Sequence, residues 1–217
     1  MSSAIRITVV SDVVCPWCYI GLQRLDEALA LWSQRYAQAP APEVRWEPFQ
    51  LNPDMPLSGM PRAAYEQRKF GAQRAQVMAR IDAAAREVGL AIDWPAIVRQ
   101  PNTLALHAVI ELAHTHGVQT ATVRRLFEGF FVTGVDMGEP DEVIAGLQGL
   151  GLDPVALAAC WELASALRLR VGEREDHWRG QGVSGVPLFV FNERWAVSGA
   201  QAPEQLLAAM LACVQDS

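Results

Sequence analysis

Lysine is almost missing from this chain. Lys69 is the only one among 217 residues, so Schiff-base chemistry has a single candidate. Long apolar runs are missing too. No stretch of about 18 consecutive apolar residues occurs, so no membrane span is expected. The opening residues MSSAIRITVV lack a charged segment followed by a long apolar one, so a secretory signal is not read there, and the expected location is cytoplasmic. A basic excess is absent: 18 Lys and Arg stand against 24 Asp and Glu, for a net charge of −6. The arginines are scattered (Arg124, Arg125, Arg168, Arg170), which argues against electrostatic nucleic-acid binding. His107, His114 and His116 do not share one helix face at their spacing, and surface or core positions are expected for them. Cysteine is scarce, with four in all. Only one C-x-x-C occurs, so a zinc knuckle, which needs two pairs, is not expected, and no metal is assigned. Cys160 (in AACWEL) and Cys213 (in MLACV) sit in apolar helical contexts and are expected to be structural free thiols.

What the chain does have is CPWC, within SDVVCPWCYIGL at residues 11–22. An apolar run at 5–10 precedes it. Leu22, Leu25, Leu29 and Trp32 follow at helical spacing. A strand that delivers C-x-x-C to the start of a helix is the layout of a thiol–disulfide redox site. The i, i+3 spacing on a first turn places both sulfurs on one side, within disulfide reach. Unpaired amides and the positive end of the helix dipole favour a thiolate at Cys15. Pro16 stands where proline is tolerated in a helix. Cys15 is therefore read as the exposed nucleophile. Cys18, one turn inside, is read as the more buried thiol that resolves the mixed disulfide. Trp17, between them, is expected to cover the site.

Length and composition, 217 residues with 51% hydrophobic, suffice for one large domain or one domain carrying an insertion. Along the chain, 5–10 alternates as a strand and 16–36 reads as a helix. PAPEV at 40–44 is a linker, and Val44, Trp46 and Phe49 suggest a second strand ending near Pro48. NPDMPLSGMP at 52–61 breaks regular structure. From 61 to about 180 only helices are read, the last a long one that Asp153 and Pro154 start and that runs to about Trp178. Strands return at 188–191 and 195–197 as a hairpin around Asn192, Glu193 and Arg194, and a helix at 203–214 closes the chain.

A CxxC helix, a late Val186–Pro187 before a hairpin and a terminal helix together resemble a thioredoxin fold, and the helical block in the middle resembles its DsbA-type variant. The fold class is α/β, with 1–56 and 181–217 forming the thioredoxin-like domain and 57–180 a helical insertion. SDVVCPWCYIG, WEPFQLNPDMP (46–56), PNTLALH (101–107), GVSGVP (182–187) and AVSGAQ (196–201) resemble the FrnE-like DsbA-family oxidoreductases over nearly the whole chain.

The resemblance implies a disulfide oxidoreductase or isomerase acting on thiol- or disulfide-containing peptides or proteins. It also implies a cis Pro187 beside the cysteines and a Val186 backbone that pairs with an extended substrate segment. The family carries a buried carboxylate six residues before the first cysteine, where this chain has Val9. Asp12 is the nearest acidic candidate, read either as a proton relay or as a turn residue. A second group of similar fold, the kappa-class glutathione transferases and 2-hydroxychromene-2-carboxylate isomerases, has serine at the Cys15 position and binds glutathione near the cis proline and the last helix. Ser198–Gln201 and Asn52 stand where that likeness places glutathione contacts. Ser198 reads foremost as an N-cap-like loop residue and second as a ligand contact. Asn102 reads foremost as a cap. No cofactor is assigned, and glutathione is expected at most as a redox partner. The alternative reading is a glutathione-dependent isomerase or transferase of small molecules. The oligomeric state stays open, a homodimer included.

Overall fold

The computed structural model describes residues 4–215; residues 1–3 of the N-terminal stretch and residues 216–217 lie outside the described part. The first strand, β1 (Arg6–Ser11), leads through a short turn into α1 (Pro16–Arg35), and β2 (Glu43–Pro48) returns parallel to β1. After the helical block come β5 (Leu188–Phe191), β6 (Trp195–Ser198) and α9 (Pro203–Gln215). The sheet order is β2-β1-β5-β6, with β5 antiparallel to β1 and to β6. The β5–β6 loop turns on positive φ at Asn192 (49°) and Glu193 (59°). Asn192 Oδ1 accepts from the Arg6 amide at 2.8 Å, which ties the loop to the start of β1.

Strand alternation sorts the two faces. Phe189, opposite Val9, reaches α1, where a Cβ on Gly21 would lie 3.1 Å from its ring. Thr8 and its partner Val190 face the other way, toward α8 (Ala166–Gly180). Helix α9 lies beside α1 and against β5 and β6. On the far face α8 lies against β2 and α4 (Leu104–Thr115).

Between β2 and α8 stand α2 (Arg62–Phe70), α3 (Arg74–Glu87), α4, α5 (Gln119–Glu128), α6 (Pro140–Gly146) and α7 (Pro154–Ala158). Two corrections to the sequence reading arise here. First, this region is not free of strands. β3 (Met60–Pro61) and β4 (Arg99–Gln100) form a two-residue antiparallel bridge, too short to leave an alternation in the sequence. Gly59 permits it, with φ at +68° and the Gln100 carbonyl 2.5 Å from where a Cβ would stand. Second, the long helix from Asp153 is two helices. Asp153 does cap α7, accepting from the amides of Val155 and Ala156. The chain then passes through a 3-10 turn and an extended Glu162 before α8 begins. The buried Arg168 guanidinium donates to the Trp161 carbonyl at 2.9 Å, so a side chain serves the acceptor that a continuous helix would have satisfied.

One apolar core joins both parts of the chain. Ile7, Val9 and Phe189 of the sheet and Leu22 and Leu25 of α1 are continuous with Leu106, Val109, Phe127 and Phe131 of the helical block. Tyr19 stacks between them, 5.3 Å from Phe127 and 5.7 Å from Phe131.

Candidate active site

Cys15 is the N-cap of α1, with extended backbone (φ −93°, ψ 111°) and no side-chain cap hydrogen bond. Its amide donates to the Asp12 carbonyl at 3.0 Å, closing the turn that leaves β1. Its carbonyl accepts from Cys18 (3.0 Å) and Tyr19 (3.2 Å), so the first turn winds tightly and both sulfurs project from the same end of the helix. Pro16 brings no amide to that turn, and the N-terminal end of the helix favours negative charge. Both thiols are free.

The expected contrast in exposure is not present. Cys15 is 3% and Cys18 1% exposed. The sequence could not show that a segment 171 residues further on would close over Cys15: its Sγ lies 3.6 Å from the Val186 carbonyl, to which it donates. The contrast lies in the surroundings. Burial first, then the neighbouring Cys15 sulfur, push the Cys18 thiol well above its ordinary range, against smaller opposing effects from the Asp12 backbone and the Ser11 side chain.

The Val186–Pro187 peptide bond is cis. Pro187 rests on α1 at Gly21, one turn past Cys18, where a Cβ would stand 3.1 Å from its Cγ. Beside it opens a cleft of about 640 Å³, lined by Trp17, Val186, Pro187, Gly199, Ala200 and Gln201 on one side and by Arg24, Arg80 and Glu87 on the other. Arg24 donates to the Ala200 carbonyl and to Glu87. The Arg80 guanidinium lies 5.6 Å from the Trp17 ring centre.

The chain matches the DSBA-like thioredoxin domain over residues 6–211. It belongs to that family. A probable DsbA oxidoreductase of Streptomyces coelicolor is similar at 27% identity and TM-score 0.84, covering 98% of this chain and 91% of that one. A 2-hydroxychromene-2-carboxylate isomerase matches at 18% identity and TM-score 0.73, over 97% of each chain. The cytosolic disulfide reductase DsbM of Pseudomonas aeruginosa, solved with glutathione, matches at 18% and TM-score 0.65, over 97% of this chain and 99% of that one.

In this DSBA-like chain, the residues singled out from the sequence fall into two groups. Trp17, Val186, Pro187 and Gly199–Gln201 line one cleft; Cys15 meets Val186 beside it and Cys18 follows one turn along α1, neither cysteine lining the cleft itself. Ser198 ends β6 next to the cleft but does not line it. Asn52 lies elsewhere: its amide donates to the Tyr65 hydroxyl at 3.3 Å, and Lys69 donates to the same oxygen at 2.6 Å. Asn102 stands one residue before Thr103, the N-cap of α4; its Oδ1 accepts from the Leu104 amide at 3.0 Å and its Nδ2 donates to the Met55 carbonyl at 2.7 Å. Asp12 is wholly buried, and its Oδ2 accepts from the Leu51 amide at 2.8 Å, so the side chain does more than close the turn.

Sequence reasoning missed Gly21, Arg24, Arg80 and His107. His107 carries the one legible signal, a polar residue on the apolar face that Leu106, Val109 and Ile110 define. In the fold it is buried (3% exposed), with Nε2 3.4 Å from Asp12 Oδ1. Among the described residues no cluster of three metal-ligating side chains occurs, and no helix is long and apolar enough to cross a membrane.

Proposed function

We propose that this protein exchanges thiols and disulfides through the Cys15–Cys18 dithiol, as an oxidoreductase or isomerase of peptide and protein substrates in the cytoplasm. The observation that carries this reading is the convergence at the start of α1: two free thiols one helical turn apart, the outer one against the carbonyl of Val186, which lines an open cleft. Cys15 attacks a substrate disulfide, and a mixed disulfide forms as the first substrate sulfur leaves. Cys18 then attacks Cys15 Sγ, the Cys15–Cys18 bond forms and the second substrate sulfur leaves. The reverse sequence oxidises a dithiol. Trp17 gives the cleft an apolar wall, and the Val186 backbone offers main-chain pairing to an extended segment.

Glutathione fits the reading as a redox partner. The cleft joins Val186 and Pro187 to Gly199–Gln201 at the approach to α9, and its arginines suit a ligand with carboxylates. DsbM, solved with glutathione, shares the fold. The second reading, a glutathione-dependent isomerase or transferase, draws on the same cleft. Chemistry separates the two. A transferase must leave the glutathione thiolate free to attack an electrophile, whereas an oxidised Cys15 captures it and Cys18 expels it.

Insulin reduction and exchange with oxidised glutathione test the proposal. Wild type is expected to do both, with negligible conjugation of a halonitrobenzene, and Cys15→Ser to lose both. Robust conjugation by wild type, unchanged in Cys18→Ser, would move the protein to the second class. The potential of the couple in glutathione buffer assigns direction: near about −270 mV for a reductase, near about −120 mV for an oxidant.

A further inference from the structure

Arg168 carries more than its place in the fold uses. It stands in the first turn of α8 and is 6% exposed, and arginine is rarely buried so far without a paired carboxylate. Among the described residues it makes one hydrogen bond, to the Trp161 carbonyl at 2.9 Å, and no ion pair. That bond takes one of its five N–H donors and makes no use of its charge. A neutral donor would serve the carbonyl at a lower desolvation cost. Burial pulls the pKa of the guanidinium below its ordinary value, with no acidic group acting against it. Its position adds to the imbalance. The first turn of a helix is the positive end of the dipole, where anions are favoured, and Ser165, the N-cap of α8, supplies no side-chain hydrogen bond there.

Arg168 is one wall of a pocket of about 160 Å³ in the helical block. Leu57, Ala105, Met137, Trp161 and Leu163 supply apolar walls from four separate stretches of chain. Leu57 and Leu163 stay 59% and 70% exposed, open to a ligand that would cover them. The Asn102 side chain in the lining is already spent on the Met55 carbonyl and the Leu104 amide. Nearby acids do not neutralise Arg168. Asp136 and Glu139, which flank Met137 and Gly138, are paired with Arg99, and Glu162 is exposed and forms no ion pair with Arg168. The pocket shares no lining residue with the cleft beside Pro187.

We propose that this pocket binds a small monocarboxylic acid with an aliphatic or aromatic body, its carboxylate on Arg168 and its apolar part against Leu57, Met137 and Leu163. Arg168 Nε and Nη2 take no part in the bond to Trp161. Together they form the edge that a carboxylate meets with two parallel hydrogen bonds. One negative charge compensates the buried cation, and the apolar walls favour a ligand whose remaining atoms carry none. A dianion such as phosphate would leave charge against apolar walls without a partner. The site stands independently of the dithiol reading, since its residues and those of the thiol cleft are separate sets.

Calorimetric titration of the full chain with hexanoate, and with hexanamide as its uncharged counterpart, tests the site. Wild type should bind hexanoate at one saturable site, about tenfold or more tighter than hexanamide, the lower end of what a hydrogen bond to a charged group contributes. Arg168→Gln keeps a donor for the Trp161 carbonyl and should erase that preference. Leu163→Glu and Leu163→Lys change the charge at an exposed position, so they report whether or not Arg168→Gln folds well. They should shift hexanoate affinity about threefold in opposite directions, weaker for Glu and tighter for Lys, and leave hexanamide the same in both. Bromine on the sixth carbon of hexanoate quenches nearby indoles and so places the ligand. Quenching should be lost in Trp161→Phe and kept in Trp17→Phe. No saturable binding at millimolar hexanoate, or equal affinity for acid and amide, would overturn the site. Quenching lost in Trp17→Phe and kept in Trp161→Phe would overturn it too, by placing the acid in the thiol cleft. Insulin reduction is read separately, so failure here leaves the dithiol reading intact.

Discussion

The two sulfurs of CPWC differ in surroundings rather than in exposure. Cys15 caps a helix and donates to the Val186 carbonyl, whereas Cys18 stands one turn inside and its thiol is raised by burial and by Cys15. Iodoacetamide at neutral pH should therefore modify Cys15 well before Cys18, Cys160 or Cys213, as read by peptide mass spectrometry; equal labelling of all four in the native protein would contradict the assignment. Cys18→Ser should accumulate mixed disulfides that Cys15→Ser cannot form. Cys160 offers a pH prediction with a defined sign. Burial raises its thiol from the ordinary 9.0 to about 11. Between those values the unfolded chain gives up this proton and the folded one keeps it. The stabilisation is thus complete below about pH 9 and declines as pH rises toward 11, by up to about 1.4 kcal/mol per pH unit. Thermal melts across that window should show Cys160→Ala losing stability less steeply than wild type.

Among the elements, the interrupted α7–α8 segment shows how a side chain sets a boundary. Asp153 and Pro154 are a legible helix start, and the sequence beyond them keeps helical character, so the break near Glu162 leaves no periodic trace. Arg168 makes the break tenable by donating to the Trp161 carbonyl from a buried position. Arg168→Met keeps the aliphatic bulk and removes the donor. It should cost about 1–3 kcal/mol and lower Tm by several degrees in calorimetry; an unchanged Tm would show that the carbonyl finds another donor. The β3–β4 bridge hid from the sequence for a related reason. Two residues have no period, and the pairing is set by Gly59 at the approach to Gln100.

At the scale of the molecule, the helical block and the sheet share one core, and the rings that join them stand directly behind the redox helix. Phe131 is fully buried, with Tyr19 of α1 at 5.7 Å, Phe130 at 4.9 Å and Trp94 at 6.3 Å. The protein should therefore unfold in one transition, with tryptophan fluorescence and far-ultraviolet circular dichroism coinciding in denaturant. Phe131→Ala should lower stability by about 3–5 kcal/mol without separating the two probes. Two resolved transitions would mean that the insertion folds independently of the thioredoxin-like part.

The sequence by itself determined what local chemistry decides. A strand, a C-x-x-C and an apolar helical stripe in that order define β1, α1 and the dithiol, because strand alternation, helix capping and i, i+3 spacing act within a few residues. The closing hairpin and last helix are legible for the same reason, and the motifs spread along the chain point to the family that it matches over residues 6–211. The tertiary structure decided what depends on distant segments meeting. It set the burial of Cys15 under Val186, the seat of Pro187 on Gly21, the placing of Asn52 beside Tyr65 rather than in the cleft, and the pairing of Asp12 with His107, 95 positions apart in the sequence. A polar histidine on an apolar face shows that something must meet it, but only the packing of α4 behind the β1–α1 turn supplies the partner. Desolvation and pairing are properties of the assembled core, and no window of sequence contains both sides of such a contact.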